Sequence, residues 1–550
     1  MVLAGHRISI PYQYLKRGAV ASLSAGEARC TVTASQPAVR TQPVPEIHRH
    51  PGGRGMGKPV QTGTPQFWPN YPWKQCAYTC RSKGIGIGKF FSLLIALVIT
   101  ILVVASYVLS WGRQDLSQPF SAPTSKDFVL SSNLSSTDRH SEVNPPVRSS
   151  HAQGGEIHLT ERRIPDRIEL EQYEPHMFSA IPRNFLQSSR SPCWYVEYQG
   201  KDRDDPYKTN GYGLYSKRFR SIFEEMRQGF WAKMNLQEGN RYRLRCLPYF
   251  YIIGQPKCGT TDLYDRLRLH PRVRFSAFKE PHWWTRKRFG ILRLKESFYS
   301  RFPLEDYLDL FDLAAQEIQD NYNKDKGIED DLLIGEASAS TMWDNSAWSY
   351  FYDNVTNTEP PVLIQDFIHA FQPDAKFIVM LRNPVERLYS DYLYFAIANK
   401  SAEDFHDKVN ESLQIFDSCL QVSSLRACAY NTTFSNILPV RLQVGLYVVY
   451  LWDWLSLFEK NQFLVMRLED HAVNITQSMR LVCNFLRLGP LSNKEESSIT
   501  HNPASNSRRP EDCNLGPMLP QTRQMLKDFY RPYNQRLAEM LANNAYLWET

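Results

Sequence analysis

The feature that most constrains this chain is a strand–loop–helix pattern that begins near residue 249. An apolar β-type run at 249–253 ends in a glycine–proline turn, and an amphipathic segment follows at 262–269. Between them lies a polar loop that contains Lys257, Cys258, Gly259, Thr260 and Thr261. Helix N-termini and glycine-lined loops bind phosphate through N–H groups, while lysine adds charge and threonine adds hydroxyl donors. The pattern predicts a site for a phosphorylated or sulfated nucleotide.

The loop differs from that of the P-loop NTPases. Their motif places lysine directly after the second glycine. Here Lys257 comes before Gly259, so the NTPase pattern fails. On this loop alone, a lysine on an ordinary turn remains an alternative.

A second anion-binding motif follows the apolar run at 377–381. Asn383 is a good helix N-cap, and Pro384 suits the first helical position. Residues 383, 387 and 390 then share one helical face. Arg382 offers a bidentate fork for phosphate, and Ser390 adds a hydroxyl. An ordinary surface helix is the alternative for this motif alone, but the two motifs together predict a ligand with two separate phosphates.

These residues resemble a known family. The loop at 254–261, G-x-x-K-x-G-T-T, resembles the 5′-phosphosulfate loop of the sulfotransferases, and 382–390, R-x-P-x-x-R-x-x-S, resembles their 3′-phosphate motif. The resemblance implies 3′-phosphoadenylyl sulfate (PAPS) as sulfate donor and no metal for the chemistry. It implies that Lys257 contacts the phosphosulfate, that the loop through Thr261 cradles the 5′-phosphate, and that Arg382 and Ser390 hold the 3′-phosphate. A late loop at 506–509, with Arg508, would close over the nucleotide.

A third segment refines the resemblance. Residues 278–284, F-K-E-P-H-W-W, are similar to the K-E-x-H-F-F stretch of Golgi-resident, heparan-type carbohydrate sulfotransferases. This implies that Glu280 is the general base, with His282 in reserve, because a sugar hydroxyl must lose its proton as it attacks sulfur. Lys257 would stabilise charge on the leaving phosphate. The alternative for Glu280 is an ion pair with Lys279 or another cation.

The residues around Glu280 suit an anionic polysaccharide. Trp283 and Trp284 would form either a platform for sugar rings or part of the core. The nearby cations that would meet a glycosaminoglycan such as chondroitin or dermatan sulfate are Lys279, Arg286, Lys287 and Arg288. Three alternatives remain: a heparan sulfate sulfotransferase, a metal-dependent glycosyltransferase using the D-x-D at 202–204, and a non-catalytic glycan-binding module.

Apolar strand-like runs alternate with helical patterns through the C-terminal part. Strands are predicted at 249–253, 332–335, 376–381 and 463–467, and helices at 219–234, 440–458 and 521–541. Such alternation predicts an α/β fold with a parallel sheet flanked by helices. The resemblance implies that this is the P-loop-like sheet of the sulfotransferase fold. Ligands of these sheets bind at the carboxyl ends of the strands.

An uncharged segment precedes this part. Residues 90–112 carry no charged side chain over 23 positions, enough to span a hydrocarbon core of ~30 Å. The basic flank on its N-terminal side predicts a single-pass type II protein with a luminal C-terminus, as in the Golgi membrane. The predicted parts are a disordered cytosolic tail at 1–89, a signal-anchor helix at 90–111, a stem at 112–170, an extension at 171–244 and the catalytic domain at 245–550.

Sequons and cysteines agree with a luminal compartment, where nucleic acid is not an expected partner. All six sequons follow the uncharged segment, at Asn133, Asn354, Asn399, Asn410, Asn431 and Asn474. Seven cysteines also follow it, so at least one is unpaired or bonds to another chain, and a homodimer is a further possibility. We expect Cys258 to be the free thiol, and Cys419–Cys428 and Cys483–Cys513 to form disulfides. Cleavage in the stem would release a soluble form.

Overall fold

The computed structural model describes residues 157, 159–201, 204–237, 239–291, 300–324, 332–345, 347–352, 358–396 and 399–549. The predicted tail, the signal-anchor helix and most of the stem lie outside these residues, as do Asn133, Asn354 and most of the D-x-D segment. Within the described residues, no helix is both long and apolar enough to cross a membrane.

The described residues form strands and helices that alternate along the chain. The strands are β1 (Cys193–Glu197), β2 (Asn235–Gln237), β3 (Asn240–Cys246), β4 (Phe250–Gly254), β5 (Val273–Phe275), β6 (Leu333–Glu336), β7 (Lys376–Leu381) and β8 (Phe463–Arg467). The α-helices are α1 (Arg167–Tyr173), α2 (Pro175–Ala180), α3 (Gly211–Tyr215), α4 (Lys217–Phe230), α5 (Thr260–Leu267), α6 (Leu304–Leu308), α7 (Asp312–Lys324), α8 (Trp348–Phe351), α9 (Ile364–Phe371), α10 (Pro384–Phe395), α11 (Ala402–Val422), α12 (Leu425–Ala429), α13 (Phe434–Ile437), α14 (Tyr447–Leu455), α15 (Leu468–Val473), α16 (Ile475–Phe485), α17 (Asn493–Thr500), α18 (Pro510–Cys513) and α19 (Pro520–Leu541). Short 3₁₀ turns occupy Trp231–Lys233, Lys287–Phe289, Asp309–Phe311, Leu442–Gly445, Lys460–Gln462 and Asn544–Leu547.

A five-stranded sheet forms the centre, in the order β5-β6-β4-β7-β8, with every neighbouring pair parallel. All of β4 and all but the first residue of β7 are buried, as expected of strands covered by helices on both faces. The predicted parallel sheet is therefore confirmed. Strand β5 was not predicted, because its three residues give too short a pattern.

The carboxyl ends of β6, β4 and β7 are tied to one another by backbone hydrogen bonds. After β4, the N–H of Gln255 donates to Met380 O on β7 at 2.7 Å. The N–H of Met342, in the loop after β6, donates to Ile253 O at 2.9 Å. The loops that follow these three adjacent strands are thereby held at one edge of the sheet.

A second, antiparallel sheet of order β1-β3-β2 lies in the region predicted as an extension. Strand β3 runs through the predicted boundary at 244/245, and Cys193 on β1 is disulfide-bonded to Cys246 on β3. Arg245 Nη1 lies 2.8 Å from Asp309 and 3.1 Å from Asp312, and all three side chains are buried. This buried ion cluster and the shared apolar core make the extension part of the same folded unit.

The folded unit also begins before residue 171, where the stem was predicted to end. Arg162 Nη1 donates to Asp366 at 3.1 Å, and both side chains are buried. Arg426 donates to Thr160 O at 2.5 Å, and Leu170 is buried in the core. The end of the predicted stem therefore packs on the domain, because two arginine-mediated contacts fix it there.

The cysteine predictions have mixed outcomes. Cys419 and Cys428 are disulfide-bonded, and Cys258 is a free, buried thiol, as predicted. The predicted Cys483–Cys513 pair is wrong, because Cys483 is a free thiol that packs with α16 against the apolar layer over the sheet.

We predict that neither free thiol is alkylated in the native protein. Burial raises the pKa of Cys258 to about 12 and that of Cys483 to about 11, so the reactive thiolate is scarce at pH 8. Iodoacetamide treatment followed by peptide mass spectrometry would find both unmodified in buffer and both modified in urea. Rapid native labelling of Cys258 would contradict its burial.

Candidate active site

The loop between β4 and α5 has the backbone of an anion-binding site. Lys257 and Gly259 both have left-handed backbones, with φ of 67° and 86°. A Cβ on Gly259 would lie 2.6 Å from Leu468 Cδ1, so the close packing here also favours glycine. Helix α5 begins at Thr260, and no side chain caps its first N–H groups, which suits an anion site.

A group of cations surrounds the Lys257 side chain. Burial, together with Arg382, Arg509 and Arg441, lowers the pKa of Lys257, and Asp391 opposes this effect. Arg382 Nη1 donates to Lys257 O at 3.4 Å, which joins the loop after β7 to the loop after β4. Like charges repel, so an arrangement of this kind is stabilised by an anion bound among them.

The second motif forms the N-terminus of α10 as predicted. Asn383 caps the helix by accepting a hydrogen bond from Val385 N at 3.0 Å, and Pro384 is the first helical residue. Arg387 is buried and donates to Arg441 O at 2.8 Å. It therefore links helix α10 to the backbone at Arg441. The predicted 3′-phosphate residue on this helix, Ser390, is only partly buried.

The Cys258 side chain lies beneath the site, and its backbone N–H donates to Gln255 O at 3.3 Å. Its thiol is fully buried, and Sγ lies 3.8 Å from Tyr447 Oη. Tyr447 in turn donates to Arg382 O at 2.8 Å. The predicted role of Cys258 at the nucleotide is therefore limited to its main chain, and the side chain packs under both motifs.

The late loop reaches the same helices. Ser505 N donates to Asp262 Oδ1 at 2.9 Å in the first turn of α5. Arg508 Cζ lies 5.4 Å from the centre of the Tyr389 ring on α10, and Arg508 donates to Gly516 O at 3.0 Å. The loop predicted to close over a nucleotide thus lies between α5 and α10.

Glu280 and His282 lie in a strained loop beside the end of β6. Both have left-handed backbones, with φ of 59° and 53°. The Glu280 N–H donates to Ala337 O at 3.1 Å, in the segment that follows β6. The Glu280 side chain is 36% exposed and pairs with Lys279, so the ion pair considered above as the alternative is present. The ion pair with Lys279 orients the Glu280 carboxylate at the sheet edge.

His282 is held by serine side chains from the segment after β6. Its ring Nδ1 lies 2.7 Å from Ser340 Oγ, and its backbone N–H donates to Ser338 Oγ at 3.0 Å. Its Nε2 lies 3.7 Å from a carboxylate oxygen of Glu280. Burial and the cations Arg286, Lys287 and Lys279 hold the pKa of His282 well below its usual range, so the imidazole is neutral near pH 7.

Glu336 is a buried carboxyl group that the sequence analysis missed. It ends β6, and its Oε1 accepts a hydrogen bond from Ser338 Oγ at 2.5 Å. Burial raises its pKa to about 7, and the neighbouring Glu280 also contributes to the rise. A polar residue that ends an apolar strand is the sequence signal that points to it.

Both tryptophans belong to the core, which corrects their interpretation as a sugar platform. Trp283 Nε1 donates to Phe302 O at 3.0 Å, and Trp284 Nε1 donates to Tyr307 Oη at 3.1 Å. Arg288 is also buried and donates to Trp284 O at 2.9 Å, so it is not placed to bind a polysaccharide. The indole N–H groups of both tryptophans are satisfied inside the domain, as buried polar groups require.

The other cations that were predicted to bind the acceptor are partly neutralised by nearby carboxylates. Arg286 Nε lies 2.7 Å from Asp344, and Lys279 pairs with Glu280. Lys287 Nζ lies 5.9 Å from the centre of the Phe302 ring. Because Lys279 and Arg286 are paired with carboxylates, they offer less positive charge to a polysaccharide than the sequence suggests.

Comparisons with known proteins agree with this geometry. Residues 247–531 match the sulfotransferase domain family. A human protein named carbohydrate sulfotransferase 15 is 57% identical over 484 residues, covering 84% of this chain and 86% of the relative. The mouse protein of the same name is 56% identical over 485 residues, with the same coverage. The chain belongs to the sulfotransferase family. A solved sulfotransferase from Alicyclobacillus acidocaldarius matches at 22% identity, covers 55% of this chain and 98% of its own, and has a TM-score of 0.32.

The site of this sulfotransferase fits the family's donor, PAPS. The uncapped start of α5 and Lys257 would hold the 5′-phosphosulfate, and Arg382 with Ser390 would hold the 3′-phosphate. The donor supplies an activated sulfuryl group when bound. Among the described residues, no group of three or more His, Cys, Asp or Glu side chains is arranged to hold a metal ion.

We predict that Asp262→Asn destabilises this sulfotransferase by about 2 kcal/mol. Although burial opposes ionisation, hydrogen bonds from His471, Arg266 and Ser505 lower the pKa of Asp262 to about 2. An asparagine would turn an amide donor toward some of these donors. Urea unfolding of the wild type and the variant at pH 6 would measure the difference.

The pH dependence gives this prediction a second test. Since the folded pKa lies below the unfolded value of about 4, the stabilisation is complete above that pH and is lost as the pH falls toward 2. The gap between wild type and variant should therefore shrink from pH 6 to pH 3. A constant gap would show that the carboxylate charge is not the cause.

Proposed function

We propose that this chain transfers the sulfuryl group of PAPS to the 6-hydroxyl of N-acetylgalactosamine 4-sulfate in chondroitin or dermatan sulfate. It would act as N-acetylgalactosamine 4-sulfate 6-O-sulfotransferase and form the E-type disulfated unit. The acceptor assignment rests on the 57% identity over 84% of the chain to carbohydrate sulfotransferase 15. The arrangement of the three strand-end loops supports the reaction.

The loops that follow the three adjacent strands each have a separate role in the proposed reaction. The loop after β4 binds the reacting 5′-phosphosulfate, and the loop after β7 binds the 3′-phosphate on one side. Glu280 is tied to the segment after β6, on the other side of β4. An acceptor hydroxyl that reaches Glu280 would therefore approach the sulfuryl group from the side of the base loop, in line for displacement.

Glu280 acts as the general base in this proposal. It takes the proton from the 6-hydroxyl as that oxygen forms its bond to sulfur, and the bond between sulfur and the phosphate oxygen breaks. Lys257 stabilises the charge that develops on the departing phosphate of 3′-phosphoadenosine 5′-phosphate (PAP). His282 Nε2 lies 3.7 Å from Glu280 and is the reserve base.

The location in the Golgi membrane, with a luminal catalytic domain, is part of the proposal. It is supported by the uncharged segment at 90–112 and by the sequons that follow it. Of the sequon asparagines that the structure describes, Asn399, Asn410 and Asn474 are exposed and Asn431 is partly buried. Glycans at exposed positions and assembly as a homodimer are expectations of the same kind.

We predict that Lys257→Ala abolishes sulfate transfer, because the leaving phosphate loses its cation. The full-length protein would be given radiolabelled PAPS with 4-sulfated chondroitin, unsulfated chondroitin or heparan sulfate, and the product disaccharides would be mapped. Label at the 6-position of 4-sulfated galactosamine is expected for the wild type. Lys494→Ala, which removes an exposed lysine on α17, is the matched control and should remain active.

The outcomes of that assay separate the alternatives. Label on heparan sulfate alone would keep the sulfotransferase activity and refute the acceptor. Transfer that persists in Lys257→Ala would refute the role of the loop after β4.

We predict that Glu280→Gln binds PAP as tightly as the wild type but loses at least about a hundredfold in kcat, since only the proton acceptor is removed. Calorimetry with PAP and steady-state kinetics would measure the two effects separately. Loss of PAP binding would instead show that the Lys279–Glu280 pair has a structural role.

A further inference from the structure

Two large aromatic side chains are exposed beside the phosphate loop. Tyr394 and Phe395 end helix α10, and each is 56% exposed. Their rings meet edge to face, with centroids 4.8 Å apart. Aromatic side chains of this size are usually buried, so an exposed pair indicates a binding surface.

The pair adjoins the catalytic lysine directly. Lys257 Nζ lies 3.9 Å from the centre of the Tyr394 ring. Any acceptor oxygen must approach the sulfuryl group that Lys257 would hold, so the two rings border the place where the acceptor sugar arrives. Tyr394 contacts this lysine, and Phe395 lies beside Tyr394.

A fixed cation supports the Phe395 ring. Arg441 Cζ lies 4.6 Å from the centre of that ring. Arg441 is itself held by Asp391, whose Oδ2 accepts from Nε at 2.8 Å, and by the Trp343 ring at 5.5 Å. A cation–π contact to an anchored arginine holds the exposed ring in place before any ligand binds.

A second cation borders the Tyr394 ring. Arg509 Cζ lies 6.0 Å from its centre, and the Arg509 side chain is 45% exposed. Arg509 Nε donates to Asp512 Oδ2 at 2.8 Å, and Arg509 Nη2 donates to Leu393 O at 2.9 Å. The aromatic faces are therefore bordered by positive charge, which suits a ligand that has both apolar C–H faces and anionic groups.

We infer that Tyr394 and Phe395 form the platform on which the acceptor sugar ring stacks, an inference that rests on the proposed function. Galacto-configured rings have an apolar C–H face that packs on aromatic rings, while the sulfate and uronate groups of the acceptor lie near the bordering cations. The buried Trp283 and Trp284 cannot provide such a surface. The platform fixes the ring so that its 6-hydroxyl faces the sulfuryl group.

The test is the kinetics of Phe395→Ala in the full-length protein, because the Lys257 ammonium group contacts the Tyr394 ring and this contact is kept. The KM for a 4-sulfated chondroitin oligosaccharide should rise about tenfold, while the KM for PAPS and the affinity for PAP stay unchanged. Phe395→Trp, which keeps an aromatic face, should restore most of the acceptor affinity. Leu236→Ala removes a 67% exposed apolar side chain on β2 and is the control.

The outcomes separate this inference from the proposed function. If the wild type transfers no sulfate to 4-sulfated chondroitin, the acceptor assignment fails. If the wild type is active and Phe395→Ala keeps the wild-type acceptor KM, the platform is refuted. A rise in KM that Phe395→Trp does not reverse, accompanied by a lower melting temperature, would also refute it, because the ring would then have only a structural role.

Discussion

The organisation of the site depends on the repulsion among cations gathered at the carboxyl ends of β4 and β7. Burial lowers the pKa of Lys257, and the neighbouring Arg382, Arg509 and Arg441 lower it further. The fold maintains this unfavourable arrangement through Asp391 and through buried contacts beneath it. Part of the folding stability is thus used to keep an anion site ready, and a bound polyanion would relieve the repulsion.

The order of the strands then determines where each part of the site lies. Because β4 lies between β6 and β7, the loop of Lys257 is flanked by the base loop on one side and by Arg382 on the other. Parallel pairing brings all three loops to the same edge. The buried carboxyl of Glu336, at the end of β6, connects the base loop to the sheet through Ser338. The base loop therefore reaches Lys257 from the β6 side, while the exposed rings at the end of α10 lie beside the same lysine.

Local sequence predicted those parts that depend on local chemistry. The runs that form β7 and β8 were predicted to the residue, and Asn383 caps α10 as expected, since buried strands and helix caps have short-range patterns. The antiparallel sheet was missed because β1 pairs with β3 across a long stretch of sequence, as the bond between Cys193 and Cys246 illustrates, and because β2 has only three residues. Composition could not decide whether Trp283 was buried, nor whether Cys483 had a partner, because both depend on tertiary packing.

The most direct test of the account is a crystal structure of the protein with bound PAP. The account predicts that the 5′-phosphate contacts the N–H groups at the start of α5 together with Lys257, and that the 3′-phosphate contacts Arg382 and Ser390. Glu280 should lie across the vacant sulfuryl position from the nucleotide. A nucleotide bound elsewhere, or one whose 3′-phosphate lies away from Arg382, would contradict the assignment of the two anion sites.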